Sequence, residues 1–217
     1  RVNYAYNDKY SLSASIRRDG SSSFGKNNKY GYFPAASVGW TISNEPFFNE
    51  SKMISYAKLR LGVGPVGNSS TSGNNLYNTN IRLFSTAPFG AGGIPSNVGN
   101  PDLSWESVVT QNAGLDVTLF NKIAEVSVDV YKKVSTNMIL QTQLPVYSGL
   151  GTDWNDINSP TTNAGEMRNT GIDIALRTYN ISRKDFSWRS SVVFSHYKNE
   201  LVALNDPTAS LRGYKEY

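Results

Sequence analysis

This chain of 217 residues has no cysteine and only one histidine. Without thiols there can be no disulfide, no thiol nucleophile and no cysteine-ligated metal. A lone imidazole, His196, brings no second ligand of its kind to a zinc site. Charge is sparse as well: Asp, Glu, Lys and Arg make up 18% of the residues, against roughly 25% in ordinary soluble domains. The net charge is +4. The basic pairs Arg17-Arg18 and Arg183-Lys184 stand apart, so no basic cluster of the nucleic-acid-binding type forms. Mean hydropathy is −0.40, and no apolar run approaches the roughly 18 residues that a transmembrane helix needs. No basic-then-apolar leader opens the chain; "RVNYAYNDKY" reads instead as a strand end and a turn, as expected of a segment of a larger protein. What is plentiful is aromatic side chain, at 12% with 13 Tyr and 4 Trp.

The dominant pattern has period two. Leu12, Ala14 and Ile16 alternate with serines. Ala57, Leu59, Leu61 and Val63 alternate with Lys58, Arg60 and Gly62. Val126, Val128 and Val130 alternate with Glu125, Ser127 and Asp129, and Ile172, Ile174 and Leu176 alternate with Asp173 and Arg177. Such alternation marks strands with one apolar and one polar face. Eight are expected, near 1–6, 10–19, 32–43, 55–66, 105–120, 123–140, 169–180 and 186–204.

The connections carry more information than the strands. They run short, long, short, long, short, long, short: 7–9, 20–31, 44–54, 67–104, 121–122, 141–168 and 181–185. Compact soluble domains rarely hold loops beyond about 12–15 residues, whereas membrane barrels pair short periplasmic turns with long external loops. Strands such as 123–140 exceed the usual five or six residues. Tyr4, Tyr6, Tyr10, Trp40, Phe47, Phe48, Tyr56, Phe120, Tyr179, Phe186 and Trp188 gather where strands meet short turns, the place of an interfacial aromatic girdle. The fold class expected is therefore all-β: an antiparallel transmembrane β-barrel segment of about eight strands with short periplasmic turns and long extracellular loops. Two other readings stay open, a complete eight-stranded barrel with a structural or adhesive role and a secreted β-sandwich binding module whose aromatics plug the core ends.

Several stretches then become recognisable: "RDGSSSFGKNNKYGYFPAASVGWTISNEPFF" (18–48), "KLRLGVGPVGN" (58–68), "NPDLSWESVVTQNAGLDVTLFNKIAEVSVDVYKK" (100–133) and "AGEMRNTGIDIAL" (164–176). In this order they resemble the SusC/RagA-type TonB-linked outer-membrane transporters of Bacteroidetes, and the resemblance spans nearly the whole chain. It implies that residues 1–217 are part of a TonB-dependent-receptor β-barrel domain, whose plug and remaining strands lie outside this chain. It further implies energy-coupled import of oligosaccharides or peptides in the outer membrane of a Gram-negative cell, with a SusD-like surface lipoprotein as partner. The TonB complex would be engaged through the plug region. One departure is Pro65, where the family more often has a polar residue. Proline removes a ladder donor, so that strand should end or bulge there.

Parity gives the candidate lumen-facing residues: Arg17, Lys58, Arg60, Asp116, Glu125, Asp129, Asp173, Arg177 and Arg189. They either contact plug and substrate or merely solvate a wet interior as mutual ion pairs. Candidate substrate or partner contacts are Phe84, Phe89, Asn100, Asp102, Trp105, Tyr147 and Trp154, because a flat ring beside amide donors suits a sugar. The alternative is that each ring packs its own loop onto the barrel rim. "TDWNDINS" (152–159) holds oxygen ligands but lacks EF-hand spacing, and "GVGPVG" lacks the Lys-Ser/Thr and helix of a phosphate loop. No catalytic residue, metal site or cofactor is assigned.

Overall fold

The computed structural model describes residues 1–48, 53–70, 75–86, 90–95, 97–141 and 160–204. Its frame is one antiparallel sheet in the spatial order β1 (Val2–Tyr6), β2 (Tyr10–Gly20), β3 (Tyr30–Thr41), β4 (Ile54–Asn68), β7 (Glu106–Leu119), β8 (Ala124–Thr136), β11 (Glu166–Ser182) and β12 (Ser187–Ala203). Two small hairpins complete the elements, β5 (Ile81–Thr86) with β6 (Gly90–Pro95), and β9 (Ile139–Gln141) with β10 (Thr161–Asn163). Each strand of this sheet pairs with the one that follows it in the sheet along the chain, so the sheet is a meander. Its outer strands, β1 and β12, do not pair with each other, and no second sheet of comparable size packs on it among the described residues. The sandwich reading has no such second layer to rest on.

Register turns the sequence alternation into two surfaces. Across the sheet, Leu12, Val38, Leu61, Ala113, Val130 and Ile172 stand opposite one another in a single row. The adjacent row is Ser11, Gly39, Arg60, Gly114, Asp129 and Asp173. One surface is thus aliphatic and the other is polar or glycine. The aliphatic surface is bare: Ile16 is 69% exposed, Val192 60% and Phe194 56%. An apolar area running over eight strands far exceeds the patch that a soluble monomer tolerates. Hydrocarbon is the solvent that suits it.

The depth of that surface fits a bilayer. On β12, Trp188 and Lys198 lie on the apolar side ten residues apart. At about 3.3 Å per residue and a strand tilt of about 40°, the span is about 25 Å, the height of the apolar band of a membrane barrel. Tyr6, Tyr10, Phe47, Phe120, Phe186 and Trp188, all at the short-turn end, are between 45% and 70% exposed.

The turns at that end use residues that tolerate left-handed backbone. Asn7 and Asp8 have φ of 49° and 53°, and Lys9 N–H donates to Tyr6 C=O at 3.0 Å. Two successive positive φ values make this the turn whose twist matches a hairpin. The turn expected at 121–122 takes four residues instead of two, with Leu119 pairing Ala124. Phe120, Asn121 and Lys122 all have positive φ. The neighbouring connection holds them there, since Phe120 N–H reaches Met53 C=O at 2.9 Å and Asn121 N–H reaches Ser55 Oγ at 3.0 Å.

Three expectations need correction. β4 neither ends nor bulges at Pro65; it runs to Asn68, with Pro65 in register against Val109. What stops is the ladder on its other side, where β3 and β4 pair only from Thr41–Lys58 to Ala36–Val63. Two places further, the same register would set Pro34 opposite Pro65, and two prolines offer no donor between them. The strand expected over 123–140 ends at Thr136, because Asn137 turns left-handed (φ 56°) before the short β9. The connection at 67–104 is not free of regular structure, since it contains the β5–β6 hairpin.

Candidate functional site

The polar surface is organised around Arg60. Its Nε lies 2.7 Å from Asp116 Oδ2, and its Nη2 donates to Asp116 Oδ1 at 3.0 Å and to Asp129 Oδ2 at 3.1 Å. Ser127 Oγ donates to Asp116 Oδ1 at 2.7 Å. Register explains the meeting: Arg60 faces Gly114 on β7, and Gly114 faces Asp129 on β8. A Cβ on Gly114 would lie 2.8 Å from Arg60 Nη2 and would overlap Asp129 Oδ1. Glycine is therefore what lets the guanidinium cross β7 to a strand two places away.

The other parity-derived residues lie on the same surface. Lys58 and Asp116 are opposite each other. Glu125 Oε2 is 3.3 Å from Arg177 Nη1, and Tyr179 OH donates to Glu125 Oε1 at 3.4 Å. Arg189 stands over the Tyr179 ring at 5.3 Å. Asp173 is directly opposite Asp129, a like-charge pairing that Arg60 offsets on one side only. Arg17 pairs with Asp19 at 2.6 Å and stands 5.7 Å from the Phe33 ring, near the long-loop end. Seven of the nine, all but Lys58 and Asp173, thus make contacts that cross strands, which binds a surface of mixed charge together without neutralising it.

At the long-loop end the connections interlock through amides. Trp105 packs on Phe24 and Phe33 with centroids 5.2 Å and 5.7 Å away, and its Nε1 donates to Asn28 C=O at 3.0 Å. Asn28 Nδ2 in turn donates to the C=O of Asp102 at 2.9 Å. Asn100 Nδ2 reaches Thr161 C=O at 3.0 Å, and Asn163 bonds both N–H and C=O of Ser104. Beneath lie Phe24, Phe33 and Leu103, which are 3%, 7% and 0% exposed. This cluster fills the opening above the two prolines, and Gly31 and Gly67 leave room for the Phe33 ring. Trp105, Asn100 and Asp102 are therefore engaged with their own scaffold, Asp102 by its backbone with its side chain exposed. Phe84 occupies β5 opposite Gly92. Phe89, Tyr147 and Trp154 lie outside the described residues.

Sequence reasoning passed over Asn28, Leu103, Ser127, Asn163 and Glu45. Glu45 ties the short-turn end together: it is 8% exposed and accepts from Tyr10 OH at 2.6 Å, Lys9 Nζ at 3.0 Å and Trp40 Nε1 at 3.1 Å. The Tyr10 hydroxyl, then Lys9 and Trp40, hold its carboxyl below the usual carboxylate range. "SNEPFF" carries no periodic signal that would have announced this. Among the described residues no group of three or more metal-ligating side chains converges. The arrangement is a wall with adhesive polar chemistry on one side.

Against known families, the one described as "TonB dependent receptor-like, beta-barrel" matches residues 1–215. The chain belongs to that family. It is 36% identical over 211 residues to TonB-dependent receptor P3 of Formosa agariphila, covering 95% of this chain and 20% of the relative. To TonB-dependent receptor SusC of Bacteroides thetaiotaomicron it is 31% identical over 211 residues, 94% of this chain and 20% of SusC. Among solved structures, the RagAB peptide importer in its closed-closed state superposes with a TM-score of 0.81 at 31% identity, over 93% of this chain and 21% of that one. Its open-open state gives the same TM-score at 30% identity over 99% and 22%. The family membership is therefore of the SusC/RagA type, and this chain spans about a fifth of the length of those relatives.

Proposed function

We propose that this chain is a stretch of barrel wall in an outer-membrane importer driven through TonB, which takes up oligosaccharides or peptides and works with a SusD-like surface lipoprotein. The observation that carries the reading is the two-faced sheet whose two longest connections, 69–105 and 137–165, leave from the same end, while three of the four connections at the other end (7–9, 120–123 and 183–186) are tight turns. In this reading the aliphatic face meets lipid, the Arg60–Asp116–Asp129 face lines the lumen, and the interlocked loops form the external rim. The wall performs no chemistry. Its charged surface offers a plug domain, lying outside this chain, a set of exchangeable ion pairs that hold without a deep apolar interface. The TonB complex would act on that plug. The two oligomer classes both present repeating polar groups, which suits a lumen carrying charges of both signs.

The test is uptake by a strain deleted for the parent gene and complemented with it, using fluorescent oligosaccharides and fluorescent peptides in parallel. Energy-dependent uptake of one class, restored by the wild-type gene and abolished when the proton gradient is collapsed, is expected. Unchanged uptake of both classes in the deletion strain rejects the import reading. Shortening residues 69–96 to a Gly-Ser linker tests the partner. The barrel should fold and co-purify less lipoprotein, while full retention removes that loop from the interface.

A further inference from the structure

The apolar surface changes character at one level of the sheet. On β8 its outward residues are Val126, Val128 and Val130, and then Lys132. Register carries that level across as Gln111, Lys132, Thr170 and Lys198. Arg168 sits one outward place higher than Thr170, between Val134 and Glu200. Three cations therefore ring the Thr170 hydroxyl, and their Cα atoms stand about 8–10 Å apart by strand spacing and rise. Their side chains are long enough to converge on one ligand between them.

Two acids share the region. Lys198 Nζ is 2.5 Å from Glu200 Oε1, and Arg168 Nη2 is 3.9 Å from Glu166 Oε1. Lys132 enters no hydrogen bond or ion pair among the described residues, and Arg168 Nε is buried without an acceptor. Cationic donors thus outnumber their partners at the upper edge of a lipid-facing band. Beside Lys132 the surface carries a groove of about 650 Å³ lined by Ala36, Val38, Leu61, Val63, Ala113 and Val130.

We propose that this corner is a lipid site, in which Lys132, Arg168 and Lys198 hold the phosphate of an anionic outer-leaflet glycolipid over Thr170 while an acyl chain lies in the groove below. A phosphate has acceptor oxygens for all three donors, and charge-assisted bonds at the edge of a low-dielectric layer are stronger than in water. Gln111 and Thr170 add donors and acceptors suited to sugar hydroxyls. The proposal rests on reading the long-loop end as the cell exterior.

The experiment uses the full-length receptor, purified in detergent, with monophosphorylated lipid A as the probe and native mass spectrometry as the readout. One retained lipid per barrel is expected. Lys132→Gln/Lys198→Gln should weaken retention by at least about tenfold, the order expected for losing charged hydrogen bonds. Lys133→Gln on the opposite face and Lys122→Gln at the short-turn end should leave it unchanged. Thr170→Val, which keeps shape, is read alongside in case the double variant does not fold, and should also weaken retention. Retention unaffected in the folded variants overturns the site. So does equal loss in the Lys133 control. Equal retention of phosphatidylglycerol or of dephosphorylated lipid A overturns the glycolipid assignment, and equal competition by inorganic phosphate reduces the corner to a simple anion site. Binding in detergent is independent of transport, so failure here leaves the import reading standing, and the reverse holds.

Discussion

Placing arginine at Val128 should damage the barrel far more than removing the charge of its neighbour Asp129. Val128 stands in the apolar row with Trp40, Leu59, Leu115, Ile174 and Phe194. On its own strand Val128 is four residues from Ala124 at the short-turn end and four from Lys132, about 10 Å along the membrane normal from either at the usual rise and tilt. Near the midplane, arginine on the lipid face costs about 2–4 kcal/mol. Asp129 lies on the other face, accepting from Arg60 at 3.1 Å, and Arg60 keeps its shorter contact with Asp116 at 2.7 Å when that charge is gone. Both partners are about a third exposed, so solvent screening limits the loss from Asp129→Asn to about 1 kcal/mol or less. In the full-length receptor, urea unfolding in vesicles followed by heat-modifiable gel mobility reads both values. Equal losses, or a larger loss for Asp129→Asn, would refute the assignment of the two faces.

Other predictions follow from single contacts. Glu45, whose carboxyl is held low chiefly by Tyr10, contributes stability that is present above the ordinary carboxylate pKa of about 4.5 and is lost as pH falls through the lower folded value; Glu45→Gln should flatten that acid limb of the unfolding midpoint. Gly67→Ala sets a methyl into the Phe33 ring and should destabilise by about 1–3 kcal/mol as overpacking, with Gly67→Ala/Phe33→Leu recovering most of it. Trp105→Ala removes the packing on Phe24 and Phe33 and the bond to Asn28. It should cost about 2–4 kcal/mol, towards the low end for tryptophan because the ring is only half-buried. Protease cleavage of the loops should then rise together with any transport defect, whereas a defect with intact loops would show direct ligand contact.

The eight strands of the main sheet were legible because a lipid-facing strand repeats its pattern along its length and every register row repeats it again. Strand ends were less legible. β11 begins at Glu166 rather than near 169, and β3 at Tyr30 rather than 32, because in Glu166-Met167-Arg168 and Tyr30-Gly31 the aliphatic alternation that marks the rest of each strand is missing. The β5–β6 hairpin escaped notice since "GAGGIP" offers almost no side chain to alternate. The role of Trp105 was undecidable from sequence, because a ring beside asparagines looks the same whether it awaits a sugar or packs on Phe24. Only the distance to Phe24 and the bond to Asn28, 77 positions away in the chain, separate the two.

The alternation of environments along one strand is the central claim, and spin-label accessibility measures it directly. The chain has no cysteine of its own, so single cysteines at positions 125 to 131 of the full-length receptor add one label each to this segment. Reconstituted in bilayers, labels at Val126, Val128 and Val130 should collide preferentially with oxygen. Labels at Glu125, Ser127, Asp129 and Tyr131 should collide preferentially with a water-soluble nickel chelate, giving a two-residue period in the ratio. A flat profile, or one with the phases exchanged, would contradict the account.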